Sequence, residues 1–112
     1  MSGRSAADVA DWRRRTKARL VAAHGGHCFD CGLEFPPFMF DFDHRDLEEK
    51  SFNVSNGNSI SYERQLAESL KCDMVCANCH RMRTHIQRCN GCEFCQDHPF
   101  RPVWAERSLL AQ

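Results

Sequence analysis

A small α+β domain stapled by zinc is the fold class this sequence predicts, on three observations. Cysteines fall in two matched pairs, Cys28-x-x-Cys31 and Cys76-x-x-Cys79. Between the pairs, Phe38 to His44 alternates strictly in the manner of a strand, and stretches of helical character lie on either side. The chain has 112 residues, enough for one domain but few enough that a metal staple helps to hold its core.

From Ala6 to about His24 no residue breaks a helix, whereas residues 1–5 read as a frayed end. Val9, Trp12, Leu20 and Ala23 form a sparse apolar stripe, and Arg13, Arg14, Arg15, Lys17 and Arg19 crowd the remaining surface. Such a helix can lie along a phosphate backbone or simply face water. Gly25-Gly26 stops it. Cys28-Phe-Asp-Cys31-Gly32 is a knuckle, a tight turn that brings two thiolates to one metal, with Gly32 free to take positive φ.

After Pro36-Pro37, residues Phe38, Phe40, Phe42 and His44 share one strand face and Met39, Asp41 and Asp43 the other. Asp43 and His44 therefore point to opposite sides unless the pleat breaks there, and a bulge or turn at that point would mark function. Arg45 to Lys50 is a charged loop, and Ser51-Phe-Asn-Val-Ser55 is expected as a short return strand completing a hairpin. Asn56-Gly57-Asn58 turns the chain. A second helix, capped by Ser59 or Ser61 with Glu63 as capping-box partner, runs to about Lys71 with Ile60, Leu66 and Leu70 inward. Cys72 to Val75 leads into the second knuckle. A third helix starts near Cys79, carries His80, Met82, Arg83 and Ile86, and ends before Asn90-Gly91. Trp104 to Leu110 reads as a last short helix.

The formal charge is zero, which argues against a simple basic binder of nucleic acid, but the average conceals a pattern. Residues 1–27 carry six Lys/Arg against two acids, residues 28–73 four against ten, and residues 74–112 five against three. Basic ends can grip phosphate while an acidic middle holds cations. Eight cysteines could also form a secreted disulfide framework, but Met1 to Ala10 has no apolar run of signal-peptide type. The expectation is a set of metal ligands in a reducing cytoplasm. No apolar run approaches the ~20 residues that span a bilayer, so no membrane role is expected.

Four thiolates from Cys28, Cys31, Cys76 and Cys79 close a tetrahedron around one structural Zn²⁺, leaving no position for water. Chemistry must then lie elsewhere. Asp43, His44 and His80 offer it: an acid as a hard oxygen ligand, an imidazole that can deprotonate water near neutral pH, and a second metal ligand on a helix. Each alone is an ordinary loop or knuckle residue; their order between and after the Cys pairs is what singles them out. Arg45, Lys50, Arg81 and Arg83 flank these positions and could bind phosphate. In the tail, Cys89, Cys92, Cys95 and His98 make a second cluster whose first reading is another structural zinc, with an iron–sulfur site or free thiols as alternatives. Cys72 reads as a small apolar packing residue.

Cys28-x-x-Cys31, Phe42-Asp43-His44 and Cys76-x-x-Cys79-His80 resemble the HNH endonuclease family, of ββα-metal fold, in its zinc-stapled, treble-clef-like form. The resemblance spans about Gly26 to His85, and Val75 to Arg83 is its most specific part. It implies an HNH core (26–88), lying between the basic N-terminal helix (1–25) and a Cys/His-rich tail of the same domain (89–112). It further implies His44 as general base, and Asp43 and His80 as ligands of a catalytic Mg²⁺ or Mn²⁺, with Zn²⁺ or Ni²⁺ as other options. The family's middle asparagine normally lies just before the second knuckle, where this chain has Lys71-Cys72-Asp73. Asn78 inside the knuckle is the first substitute and Asn53 the second.

The function expected is divalent-metal-dependent hydrolysis of DNA phosphodiester bonds, by nicking or double-strand cutting, in a bacterial or phage-infected cell. A compact chain of this kind would cut with little sequence preference, or draw specificity from a homodimer or a larger phage or restriction complex. The rival is a zinc-binding module that holds nucleic acid or protein without cutting.

Overall fold

The computed structural model describes residues 5–55 and 60–89. Within them lie three helices, α1 (Ala6–Ala23), α2 (Tyr62–Ser69) and α3 (Ala77–Arg88), and two strands, β1 (Phe40–His44) and β2 (Cys72–Cys76). Short 3-10 turns occur at Pro37–Met39 and Leu47–Glu49. The α+β class expected from sequence is present. The helix expected at Trp104 to Leu110 lies outside the described residues.

Helix α1 begins at a reciprocal cap: the Ser5 hydroxyl accepts from the Asp8 amide at 3.1 Å, and the Asp8 carboxylate accepts from the Ser5 amide at 3.3 Å. Its buried residues are Thr16, Leu20 and Val21. Ala23, expected in the stripe, is exposed, because the inner line follows the four-residue spacing Trp12, Thr16, Leu20, His24 and leaves Ala23 to the side. Gly25 and Gly26, at φ 92° and 78°, then reverse the chain towards the first knuckle.

The hairpin expected between the aromatic strand and Ser51–Ser55 does not form. β1 pairs antiparallel with β2, from Phe40 opposite Cys76 to His44 opposite Cys72. Residues 51–55 instead run irregularly into a turn. The reason is burial. Four of the five residues of Cys72–Cys76 are buried, whereas Ser51-Phe-Asn-Val-Ser55 has only Phe52 and Val54 to offer a core. The strand also starts later than its alternation suggests. Pro37 opens a 3-10 turn through Met39, where proline's fixed φ and missing N–H suit a turn better than a ladder.

Residues paired across the ladder share a face. Phe40, Phe42 and His44, with Cys76, Met74 and Cys72, look towards α1 and α2, where Phe40 and Met74 share a core with Val21. Phe42 also packs against the second core group of Leu20, Val54 and Cys72. Asp41 and Asp43, with Val75 and Asp73, look towards α3. β2 runs directly into α3, and Cys76 is at once the last strand residue and the helix N-cap, its sulfur accepting from the Cys79 amide at 3.5 Å. No helix among the described residues is long and apolar enough to cross a membrane.

Candidate metal centre and adjoining cleft

The two knuckles meet at the corner between β2 and α3. Cys28, Cys31, Cys76 and Cys79 bring their sulfurs within 4.8 Å of one another, with Cys31 and Cys76 at 4.0 Å. A tetrahedral zinc with bonds of about 2.3 Å needs its sulfurs roughly 3.8 Å apart, so the four thiols fit one zinc ion. Among the described residues they are the one group of three or more candidate ligands drawn so close together.

The backbone prepares the site for charge. Gly32, at φ 75°, lets its amide close the knuckle on the Cys28 carbonyl at 2.9 Å. The amides of Asp30, Cys31 and Cys76 point at the Cys28 sulfur, 3.3–3.5 Å away. Burial alone would push that thiol up, but these amides outweigh it and bring it down. Cys31 and Cys79 are pushed up by burial and by the adjoining thiols. Four thiolates this close repel one another, and a divalent cation relieves that repulsion.

Arg83, one turn after His80 on α3, is tied to this corner from the inside. Its guanidinium forms a bidentate pair with Asp30, both bonds 2.7 Å, and reaches Asp43 at 2.8 Å and Asp73 at 3.1 Å. Asp43 and Asp73 are directly opposed across the ladder, an arrangement that like charges destabilise unless a cation lies between them. Burial opposes the charge on Arg83, but the three carboxylates outweigh it and hold the group protonated. The phosphate role expected for Arg83 is thereby corrected: the side chain is 6% exposed and spent on carboxylates.

The sequence-predicted catalytic residues divide between the two sheet faces. The ladder is regular through His44 opposite Cys72, so the pleat carries Asp43 and His44 to opposite sides. Asp43 meets α3: its Oδ1 lies 4.0 Å from His80 Nε2, while its Oδ2 takes the Arg83 bond. His80 Nδ1 is 2.9 Å from Asp41 Oδ2, so Asp41, two residues before Asp43 on the same face, belongs to this group although the sequence reading left it out. His44 meets α2 instead. Its Nε2 lies 2.8 Å from Glu68 Oε2, and both side chains are 3% exposed.

Glu68 also accepts from Lys71 Nζ and the Ser51 amide, each at 2.9 Å. Burial would push its carboxyl up, but Lys71, Ser51 and His44 together hold it down at about 2. Glu68 had no distinguishing mark in the sequence; only the packing of α2 on β1 reveals it.

The two groups border one cleft, a cavity of about 350 Å³ beside β1. Asp41, Asp43, His44, His80, Asn53 and Lys17 line it, with Lys50 at its rim. Asn53 is thus the asparagine that shares the cleft with His44, whereas Asn78 sits exposed on the first turn of α3, in a separate groove with His80 and Arg81. Lys17 donates to the Ser55 hydroxyl at 3.3 Å and lies over the Phe42 ring at 5.5 Å. Burial pushes the Lys17 ammonium down, and Asp41 acts against that.

The remaining basic residues also separate. Arg45 caps the open end of the ladder, bonding the Cys72 carbonyl at 2.8 Å, the Leu70 carbonyl and Asp73. Arg19 stacks over Tyr62 at 3.6 Å, and Arg15 pairs with Asp11 at 3.0 Å. Arg13, Arg14 and Lys17 line a groove on α1, and Lys50 and Arg81 border open space.

Cys72 packs as expected, buried, its thiol near the Glu68 carbonyl at 3.7 Å and pushed up to about 12 by burial and then by the Glu68 charge. Of the tail cluster, Cys89 follows α3, its amide bonded to the His85 carbonyl, while Cys92, Cys95 and His98 lie outside the described residues. Compared with family models, curated proteins and solved structures, the chain finds no match.

Proposed function

We propose that the chain is a divalent-metal-dependent endonuclease of HNH type that hydrolyses DNA phosphodiester bonds, using the ββα unit of β1, β2 and α3. The observation that carries this reading is that Asp43 and His80, from one sheet face, and His44, from the other, all line one cleft. Asp43 Oδ1 and His80 Nε2 stand 4.0 Å apart, wider than the roughly 3 Å between adjacent ligands of a small octahedral ion, so the two side chains would draw together on binding one. Bound there, Mg²⁺ or Mn²⁺, or alternatively Zn²⁺ or Ni²⁺, would stabilise charge on the phosphate and the leaving oxygen.

His44 serves as the general base. The Glu68 carboxylate can only accept, so Nε2 carries the hydrogen and Nδ1 keeps the lone pair that takes a proton. Lys17 and Lys50 bring positive charge to the cleft for the phosphate, and Asn53 is the better counterpart of the family's middle asparagine. The four-thiol zinc has the separate duty of fixing where α3 begins, and with it His80.

A second reading has its own support. His44 and Glu68 are shielded from water, and Arg83 already occupies one oxygen of Asp43. These contacts suit a zinc-stapled module that holds nucleic acid or protein without cutting. Incubating supercoiled plasmid with the zinc-loaded protein and each of the four ions separates the two. Nicking or linearisation that disappears in His44→Ala, with zinc content unchanged, supports the nuclease. Cutting that survives His44→Ala removes the base assignment, and a wild type inert with every ion on both supercoiled plasmid and single-stranded DNA leaves the binding module.

A further inference from the structure

We propose that the groove on α1 beside the cleft is a seat for an unpaired nucleobase, so that the strand this site takes is single-stranded DNA. The inference rests on reading the cleft as a DNA site. Phe38 is 81% exposed, more than any other large apolar side chain among the described residues. Its backbone is nevertheless held in place. Pro36 and Pro37 precede it, the 3-10 turn Pro37–Met39 is closed by the Met39 amide on the Pro36 carbonyl at 3.0 Å, and the buried Phe40 anchors the chain two residues on. A ring carried on a stiff turn costs no backbone ordering when something stacks on it, and only its own side-chain torsions need settle.

The ring's neighbours identify what would stack. Phe38 lines a groove of about 420 Å³ with Arg13, Arg14 and Lys17 of α1, and no acid lines it among the described residues. A phenyl face edged by three cations, one of which, Arg14, also pairs with Asp11 at 3.8 Å, is complementary to a base with its phosphates, since every base offers a π-face and the backbone offers charge. Lys17 and Ser55, which bond to each other, line both this groove and the cleft holding Asp43 and His80. A strand seated on Phe38 therefore continues past Lys17 to the proposed reacting centre. A duplex keeps its base faces stacked and hidden, so this ring cannot read it without unstacking a base.

The test is fluorescence anisotropy of the full-length, zinc-loaded protein with labelled oligothymidine and with a duplex, in the absence of added Mg²⁺ or Mn²⁺. Single strand should bind more tightly than duplex. Phe38→Ala should weaken single-strand binding about 5- to 150-fold, the loss of one base stack, while Phe38→Trp retains it. Arg13→Ala should weaken binding and flatten its salt dependence. Because Phe38 is exposed, an unchanged thermal melt shows that Phe38→Ala is folded. Duplex binding as tight as single-strand binding, or an unaltered single-strand affinity in Phe38→Ala, overturns the proposal. Phe38-dependent self-association without oligonucleotide also overturns it, because the ring would then be covered by a second copy. Phe38-dependent single-strand binding without cutting by any ion would sink the nuclease reading and leave this seat standing.

Discussion

Replacing Arg83 with alanine should cost about 3–5 kcal/mol of stability, the range for removing one partner of a buried ion pair. The structure shows where that cost arises. Asp73 keeps a bond from Arg45 at 3.3 Å, and Asp43, 25% exposed, can turn to water. Asp30 has neither recourse: its side chain is 0% exposed, and both its oxygens accept from Arg83. One stranded, buried carboxylate therefore dominates, in a domain whose total stability is of order 5–15 kcal/mol. Asp30 lies between Cys28 and Cys31, so the first knuckle should loosen with it. Urea unfolding of zinc-loaded protein, followed by circular dichroism, measures the loss. Asp30→Asn made together with Arg83→Ala should cost clearly less than the two changes summed, since the stranded charge is gone. A loss below about 1 kcal/mol with additive double-mutant behaviour would refute the reasoning. So would unchanged stability with weakened DNA binding, which would return Arg83 to the phosphate role suggested by its sequence context.

Glu68 should make the stability of the fold fall in acid. Its carboxyl is held at about 2, below the unfolded value of 4.5, so its contribution is present above about pH 4.5 and is lost as pH falls towards 2. Glu68→Gln should be less stable at neutral pH and should lose the pH dependence in that window, as read from urea midpoints across the range. Stripping zinc with a chelator should unfold the wild type, and Cys76→Ser should be unfolded or aggregated at any zinc level tested by circular dichroism and metal analysis. Cys72, buried with its thiol pushed up to about 12, should stay unalkylated by iodoacetamide in the native protein at neutral pH and react only after denaturation, as mass mapping would show.

Local chemistry was legible without coordinates wherever it depends on spacing. Two C-x-x-C pairs announce a four-thiol cluster because each knuckle is a short-range turn, and Gly32 at positive φ follows from the same turn. The reach of α1 follows from its lack of breakers up to Gly25. Even the separation of Asp43 from His44 was contained in the period-two alternation, since an unbroken pleat must send neighbours to opposite faces.

What the tertiary structure alone decided is which distant segments meet, because pairing is settled by the burial that each candidate achieves together with the rest of the fold. β1 takes Cys72–Cys76 as its partner, 28 residues on from His44 to Cys72, instead of the nearer Ser51–Ser55. That choice puts Asp73 opposite Asp43 and makes a buried cation necessary, which turns Arg83 from a surface charge into a core one. It also lays α2 against His44 and so selects Glu68, and it brings Asn53 rather than Asn78 to the cleft. None of these has a sequence mark, since an arginine, a glutamate or an asparagine reads the same on a helix or loop until its neighbours are known.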